Sequence, residues 1–136
     1  MAIQTDFLVI GSGLAGLNAA LHLANHGKVL GLCKRGASEG NTAYAQGGLA
    51  SVMDEHDTFE AHVTDTLEAG AGLCNRKVVE AIVEAGPSAV ERLISRGVRF
   101  DGEDGSFDLT REGGHSSRRI LHAQDITGRE IDRAMR

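Results

Sequence analysis

The sequence predicts an α/β fold of the Rossmann-like type, with a parallel sheet built on a β-α-β unit near the start of the chain. The apolar run Leu8-Val9-Ile10 is typical of a buried parallel strand. The leucines after it repeat near helical spacing, at Leu14, Leu17, Leu21 and Leu23. Gly27 is expected to end that helix, and residues 29–33 predict the second strand. The unit fits within the roughly 30 residues that such a motif needs.

A glycine-rich turn joins the first strand to the helix, with the sequence Gly11, Ser12, Gly13, Leu14, Ala15 and Gly16. Gly11 suits a tight turn, Gly13 lets backbone amides approach a pyrophosphate, and Gly16 allows the helix to pack closely on the strand. The anion would lie at the positive end of the helix dipole. The turn therefore predicts a dinucleotide site.

Composition narrows the function classes. The chain has 136 residues, 41% of them hydrophobic, which suffices for one core. A net charge of −5 argues against a nucleic-acid partner. No apolar run approaches the roughly 18 to 20 residues of a membrane span, so we expect no membrane association and a cytoplasmic location. Cys33, Cys74 and the six histidines form no spacing typical of a disulfide framework or a metal site.

Two polar segments are candidates for ligand binding. Residues 34–48 lack both helical and strand periodicity, and a loop this long, rich in small residues, favours wrapping around a ligand. The turn over residues 110–115 carries Glu112 between charged and glycine neighbours. Its residues alone fit a ligand-facing turn and an ordinary surface turn equally well. For the nearby group Arg111, Arg118 and Arg119 a solvated or ion-paired loop is favoured.

The middle of the chain predicts a helical scaffold. A capping box with Asp57 as N-cap begins a helix that runs to about Ala69. Asn75 begins a second helix, whose apolar stripe is Val78, Val79, Ile82 and Val83 and which stops near Gly86. Pro87 opens a third helix, which carries Val90, Leu93 and Ile94 inward and closes at Gly97.

The last third predicts a hairpin and a final helix. Alternating residues at 98–100 and 107–109 flank the turn dipeptides Asp101-Gly102 and Asp104-Gly105. A capping box over residues 127–130 begins a helix that has run barely two turns at Arg136. We expect residues 1–136 to be the N-terminal part of a longer cofactor-binding domain that is incomplete here.

The identity of the dinucleotide stays open on these residues. The second strand ends in Cys33-Lys34-Arg35, where an acidic residue often contacts a ribose hydroxyl. Lys34 and Arg35 would suit the 2′-phosphate of NADP. Alternatively, backbone groups hold the ribose while Lys34 packs nearby.

The chain resembles a known family along nearly its whole length. Residues 38–48 and 109–115, with the glycine turn, are similar to the flavoprotein superfamily of fumarate reductase, succinate dehydrogenase and L-aspartate oxidase. The resemblance implies an FAD-binding domain, with residues 12–15 on the pyrophosphate and Lys34 near the adenosine ribose. It also implies contact of the loop with FAD, through Asn41, Thr42, Ala43, Tyr44, Ala45, Gln46, Gly47 and Gly48. A capping or substrate domain and a C-terminal helical domain are expected downstream.

Two positions discriminate within that superfamily. Its membrane-complex members carry a flavin-linking histidine where this chain has Asn41, so noncovalent FAD is implied. Its dicarboxylate enzymes carry an apolar aromatic residue where this chain has Glu112. A carboxylate there would pair with a substrate ammonium group and repel a further carboxylate.

The resemblance then implies oxidation of L-aspartate to iminoaspartate, with O2 or fumarate as electron acceptor. This is the first step of NAD biosynthesis through quinolinate, which implies a functional link to quinolinate synthase. Glu112 would recognise the substrate, and the main catalytic arginine and histidine are expected downstream. Two alternatives remain: a soluble fumarate reductase-like dicarboxylate oxidoreductase, and a nonenzymatic nucleotide-binding module.

Overall fold

The glycine-rich turn joins a strand to a helix, as the sequence predicts. In the computed structural model, which describes residues 2–103 and 105–136, strand β1 spans Phe7–Ile10, helix α1 Leu14–Leu23 and strand β2 Val29–Leu32. The two strands pair in parallel, with Phe7 opposite Val29 and Ile10 opposite Leu32. The predicted β-α-β unit is confirmed.

Two details of this unit differ from prediction. Helix α1 ends at Leu23, before Gly27. Gly27 instead lies against Asp6, where an added Cβ would come within 2.7 Å of the carboxylate that accepts a hydrogen bond from the Lys28 amide. Strand β1 is also covered on one face only, because α1 packs on the Val9 side and leaves Leu8 and Ile10 56% and 77% exposed.

The remaining elements are short except for one long helix. They are α2 (Asn41–Tyr44), β3 (Leu49–Ala50), α3 (Phe59–Ala69), α4 (Arg76–Ser95), β4 (Ile120–Leu121) and α5 (Thr127–Met135). Strands β3 and β4 pair antiparallel, with Leu49 opposite Leu121. Helix α2 lies inside the segment predicted as a loop, because a four-residue helix is too short to show a hydrophobic period.

Helix α4 is one helix where two were predicted, and it continues through Gly86 and Pro87. Its buried residues follow one stripe along the whole length: Val79, Val83, Val90 and Leu93. Gly86 lies on this stripe, and a Cβ there would come within 2.9 Å of the Ser51 hydroxyl oxygen. Packing along the stripe thus outweighs the hydrogen bond that proline removes from the helix.

The stripe is narrower than predicted. Val78, Ile82 and Ile94 were expected to face inward and are exposed. The stripe nevertheless reaches three apolar clusters. Val79 and Val83 pack with Val63 of α3, Val90 packs with Leu109 and Leu121, and Leu93 packs with Val98, Ile131 and Met135. Helix α4 therefore contributes buried residues to all three apolar clusters.

The predicted hairpin does not form as a pair of strands in the described part of residues 98–109, and Asp104 lies outside the described residues. The two segments still meet. The Asp108 amide donates to the Asp101 carbonyl at 3.0 Å, and the Phe100 and Phe107 rings pack edge to face at 6.5 Å. The two segments are thus joined by ring packing and one backbone hydrogen bond, not by the series of backbone hydrogen bonds expected of a hairpin.

Of the predicted N-caps, only Asn75 is confirmed, since its side chain accepts from the Val78 amide. The predicted closure at Gly97 is also confirmed, because α4 ends just before this glycine, which adopts φ +93°. Thr58, rather than Asp57, caps α3 by accepting from the Ala61 amide at 3.1 Å. The capping box predicted at residues 127–130 is also wrong. The Thr127 hydroxyl accepts from the Ala123 amide, and Glu130 accepts from the Arg99 amide at 2.9 Å.

Asp57 is released from capping because it belongs to a buried ion cluster around Arg119. The Arg119 side chain is 0% exposed and donates from Nε and Nη2 to the two Asp57 oxygens, each at 2.7 Å. Its Nη1 donates to Asp65 Oδ2 at 2.6 Å. The same Asp65 oxygen accepts from the amide and hydroxyl of Ser116, both at 2.8 Å. The predicted ion-paired state is confirmed for Arg119, whereas Arg111 and Arg118 are exposed.

The buried ion cluster shifts the pKa values of its own carboxyl groups and of a neighbouring histidine. Burial by itself would raise the pKa of Asp65, but hydrogen bonds from Ser116 and Arg119 outweigh it and lower that pKa to about 2. The pKa of Asp57 is lowered in the same way, with the Arg119 hydrogen bonds overcoming burial. Burial, followed by the Arg119 charge, lowers the pKa of the neighbouring His62.

Helices α2 and α5 are in very close contact at Gly128. The Gly128 amide donates to the Ala45 carbonyl at 3.0 Å, and an added Cβ would overlap the carbonyl oxygen of Thr42. Only a residue without a side chain allows this approach. The contact fixes α2 against the start of α5.

We predict that Gly128→Ala separates α2 from α5 and destabilises the protein by about 2 kcal/mol, since backbone atoms cannot yield to the new methyl group. Thermal unfolding followed by circular dichroism measures the effect. Gly36→Ala is the control, because the nearest atom to its Cβ is the Glu39 side chain at 3.7 Å. Equal melting of the two variants would show that the contact carries no stability.

We predict that Asp65→Asn removes part of the acid sensitivity of folding. The folded pKa of Asp65, about 2, lies below the ordinary value of 3.8, so its contribution is complete above 3.8 and is lost as the pH falls toward 2. Urea unfolding between pH 5 and pH 2 should show a shallower loss of unfolding free energy in the variant than in the parent. Glu68→Gln, on the exposed face of α3, should keep the parent's slope. A slope unchanged in Asp65→Asn would contradict the assignment.

Candidate cofactor and substrate site

The glycine turn has the geometry of an anion cradle. Gly11 adopts φ +111°, which side-chain-bearing residues rarely reach. A Cβ on Gly16 would overlap the Gly11 carbonyl, so α1 lies directly on the turn, as predicted for this glycine. Gly13 is the N-cap and has no side-chain cap, so the early amides of α1 other than that of Leu14, which donates to Thr42, are left for an external acceptor. These features fit a dinucleotide pyrophosphate.

The flavin-loop segment, residues 41–48, touches this turn directly. The Thr42 hydroxyl accepts a hydrogen bond from the Leu14 amide at 3.0 Å. Asn41 is exposed at the first position of α2. The Tyr44 hydroxyl donates to Glu39 at 2.8 Å, and this hydrogen bond raises the pKa of Tyr44. Two segments predicted separately to bind one cofactor are therefore neighbours.

Lys34 lies just beyond the carboxyl end of β2 and is exposed. The carboxyl ends of parallel strands share one edge of a sheet, so Lys34 and the glycine turn lie at the same edge. An exposed cation at that place fits a ribose or phosphate group near the adenosine end of a dinucleotide.

Arg136 is a neighbour of the cradle that the sequence did not indicate. Its guanidinium pairs with Asp132 at 2.8 Å and donates to the carbonyls of Ser12 and Ala37. Arg136 thus ties α5 to the glycine turn and to Ala37, which lies between β2 and the flavin-loop segment. A lone arginine at a helix end carries no sequence signal of such contacts.

The second half of the flavin-loop segment leads to Glu112. A Cβ on Gly48 would overlap Ile120 and the Leu121 carbonyl, so the segment runs tightly along β4. An added Cβ on Gly47 would lie 3.7 Å from the Glu112 Oε1 atom. The structure therefore brings Glu112 beside the predicted flavin loop, although the two are more than sixty positions apart in sequence.

A cavity of about 300 Å³ lies at this junction, and we call it the Glu112 cavity. Its lining includes three carboxylates, of Glu112, Asp101 and Asp125, together with His122. No lysine or arginine belongs to its described lining, which also contains Gln46, Gly47, Gly48, Thr110, Ile120 and Gln124. A cavity lined by carboxylates favours a cationic group in the occupant.

The position of Glu112 depends on the buried ion cluster. The His115 amide donates to the Glu112 carbonyl at 3.2 Å, which closes the turn. His115 Nδ1 then lies 3.3 Å from Arg119 Nη1, and its ring meets His62 edge-on at 5.8 Å. These contacts indicate a structural role for His115.

Among the described residues, no three or more His, Cys, Asp or Glu side chains are grouped so that they could hold a metal ion. His22 and His26 are both exposed. Cys33 and Cys74 are free thiols. In the part of the chain that the structure describes, no helix has the length and hydropathy to cross a membrane.

Sequence and structure comparisons identify known proteins that are similar to this chain. The chain is 56% identical over 131 residues to an L-aspartate oxidase of Vibrio cholerae, covering 92% of this chain and 24% of that protein. It is 52% identical to the chloroplastic L-aspartate oxidase 2-b of Nicotiana tabacum, covering 96% of this chain and 20% of that protein. The chain thus spans about a quarter or less of the curated relatives it matches.

Among solved structures, an E. coli quinol fumarate reductase superposes with a TM-score of 0.91 at 33% identity, covering 98% of this chain and 23% of that one. The α/β fold and its parallel β-α-β unit are those of the fumarate reductase and succinate dehydrogenase flavoproteins, and FAD is confirmed as the cofactor. Residues 6–135 match the FAD binding domain family, and the chain belongs to that family.

Proposed function

We propose that this chain is part of an enzyme that oxidises L-aspartate to iminoaspartate with noncovalently bound FAD. The observation that supports this most is the position of Glu112. Its carboxylate lies beside the flavin-loop segment, in a cavity lined by carboxylates. Similarity to several L-aspartate oxidases at 50–56% identity also supports it.

The chain supplies the cofactor cradle in this proposal. Gly11 to Gly16 hold the pyrophosphate through backbone amides and the dipole of α1, and Lys34 approaches the adenosine ribose. Residues 41–48 contact the flavin ring. Asn41 supplies no nucleophilic imidazole for covalent attachment, so the flavin is held by noncovalent contacts alone.

Glu112 selects the substrate. An ionised carboxylate pairs favourably with an α-ammonium group, whereas it repels a dicarboxylate that has no cation. The described lining offers no cation for the two substrate carboxylates, so those groups are bound by residues outside this chain. A capping or substrate domain and a C-terminal helical domain, expected downstream, would provide them.

The reaction balances as follows. L-aspartate loses two electrons and two protons as its Cα–N bond becomes an imine. Bound FAD supplies the acceptor for the electron pair that leaves Cα. O2, reduced to hydrogen peroxide, or fumarate, reduced to succinate, then takes up both electrons and protons. The similarity to a fumarate reductase supports fumarate as one acceptor.

The imine product requires a consuming enzyme, and we propose the functional link to quinolinate synthase on that basis. The cytoplasmic location stays a prediction from the sequence, and several plant relatives are described as chloroplastic. A soluble fumarate reductase-like activity is the second candidate, favoured by the similarity of this chain to solved fumarate reductase structures.

We predict that Glu112→Gln lowers the preference for L-aspartate over succinate by about 10- to 100-fold, because one charge-assisted hydrogen bond is lost. Turnover of both compounds by the flavin-loaded, full-length protein measures the ratio. Glu68→Gln, exposed on α3, should leave it unchanged. An unchanged ratio in Glu112→Gln would refute the role of Glu112. Faster parent turnover of succinate than of aspartate would favour the fumarate reductase-like candidate.

We predict that Gly16→Ala weakens FAD binding at least about tenfold, because the methyl group overlaps the Gly11 carbonyl and must displace α1 from the turn. Titration of the flavin-free protein with FAD, followed by flavin fluorescence, gives the dissociation constant. Gly36→Ala serves as the control, and unaltered binding by Gly16→Ala would show that the cradle lies elsewhere.

A further inference from the structure

His122 and Asp101 form a hydrogen-bonded pair in the wall of the Glu112 cavity. His122 Nδ1 lies 2.9 Å from Asp101 Oδ2. An ionised carboxylate only accepts, so Nδ1 is the donor of this hydrogen bond, and in the corresponding tautomer Nε2 bears a lone pair. The pair is 21 positions apart along the chain and has no sequence signature.

The Nε2 atom of His122 is buried and has no hydrogen-bond partner among the described residues. An unpaired buried acceptor costs free energy and calls for a partner that is supplied from elsewhere. The His122 side chain is 19% exposed and lines the cavity. Because Nε2 itself is buried, a donor in the cavity reaches it only if the ring turns about the Asp101 hydrogen bond.

The backbone beside His122 is held in a strained conformation. Gln124 adopts φ +49°, which is uncommon for a residue other than glycine. Its amide donates to the same Asp101 oxygen at 2.6 Å, so one carboxylate holds both the strained turn and the imidazole. Such strain is characteristic of positions that fix a functional group.

We propose that His122 is a second ammonium-recognition residue, whose Nε2 accepts a hydrogen bond from the α-ammonium group of the substrate that Glu112 also contacts. This inference rests on the proposed function, because it assumes an amino dicarboxylate in the Glu112 cavity. An ammonium group has three donors, so it can satisfy a carboxylate and an imidazole together.

The pair would sharpen specificity by a means that differs from charge. A dicarboxylate without an amino group leaves Nε2 without a donor, and a site built to bond a substrate N–H rejects the analogue that lacks it. Glu112 attracts the positive charge of the ammonium group, and His122 accepts a hydrogen bond from one of its N–H groups. Asp101 acts through His122 and is a positioning residue.

The test uses the full-length protein loaded with FAD and two ligands that it cannot oxidise by the proposed reaction. One is 2-methyl-L-aspartate, which has an ammonium group but no Cα hydrogen, and the other is malonate, which has no ammonium group. Perturbation of the flavin absorbance gives both dissociation constants. The quantity of interest is their ratio, which a general loss of folding or of flavin would not change selectively.

His122→Asn keeps a donor near Asp101 and removes Nε2, whereas His122→Gln places an amide oxygen near the position of Nε2. We expect His122→Asn to reduce the preference for the amino ligand about tenfold and His122→Gln to retain most of it. His26→Asn, at an exposed site, is the matched control. If His122→Asn does not fold, His122→Phe is measured instead, because its ring has no acceptor: loss of the preference for the amino ligand supports the proposal, and a preference equal to the parent's refutes it.

The two proposals fail differently. If the parent protein does not prefer the amino ligand, the proposed function itself is wrong. If the parent shows the preference, Glu112→Gln loses it and His122→Asn retains it in full, the function stands and the role of His122 is refuted.

Discussion

The buried contact of Arg119 with Asp57 and Asp65 is the interaction on which the candidate substrate site depends. Three charges are withdrawn from water here, and their cost is offset because both Asp57 oxygens, Asp65 Oδ2 and the three guanidinium nitrogens of Arg119 have close partners. Ser116 joins the same network, which fixes the turn that carries Glu112 to helix α3. Glu112 is exposed, but these buried residues hold the turn that carries it in a defined position.

The cofactor segments are held together by a second set of contacts, centred on helix α5. Gly128 brings its first turn against α2, and Arg136 at its end reaches the carbonyl of Ser12 in the glycine turn. Thr42 completes the set through its bond to the Leu14 amide. Segments far apart in sequence thus converge on one cradle because a single helix contacts them all.

Local patterns predicted the parts of this chain that local physics determines. The β-α-β unit, the tight approach at Gly16 and the cap at Asn75 follow from glycine placement, apolar spacing and cap chemistry. The errors arose where tertiary contacts override local preference. Asp57 occurs in a sequence typical of an N-cap, but its carboxylate pairs with Arg119 instead. Helix α4 continues through Pro87 because its buried residues lie on both sides of the proline. Nothing local could pair Asp101 with His122.

The central claim is that the Glu112 cavity binds the ammonium end of an amino dicarboxylate next to FAD. The most direct measurement is a crystal structure of the full-length flavoprotein with 2-methyl-L-aspartate. The account predicts the ligand nitrogen within about 3 Å of a Glu112 carboxylate oxygen, with the flavin ring against residues 41–48. A ligand whose nitrogen lies away from the Glu112 cavity, with a carboxylate in its place, would contradict it.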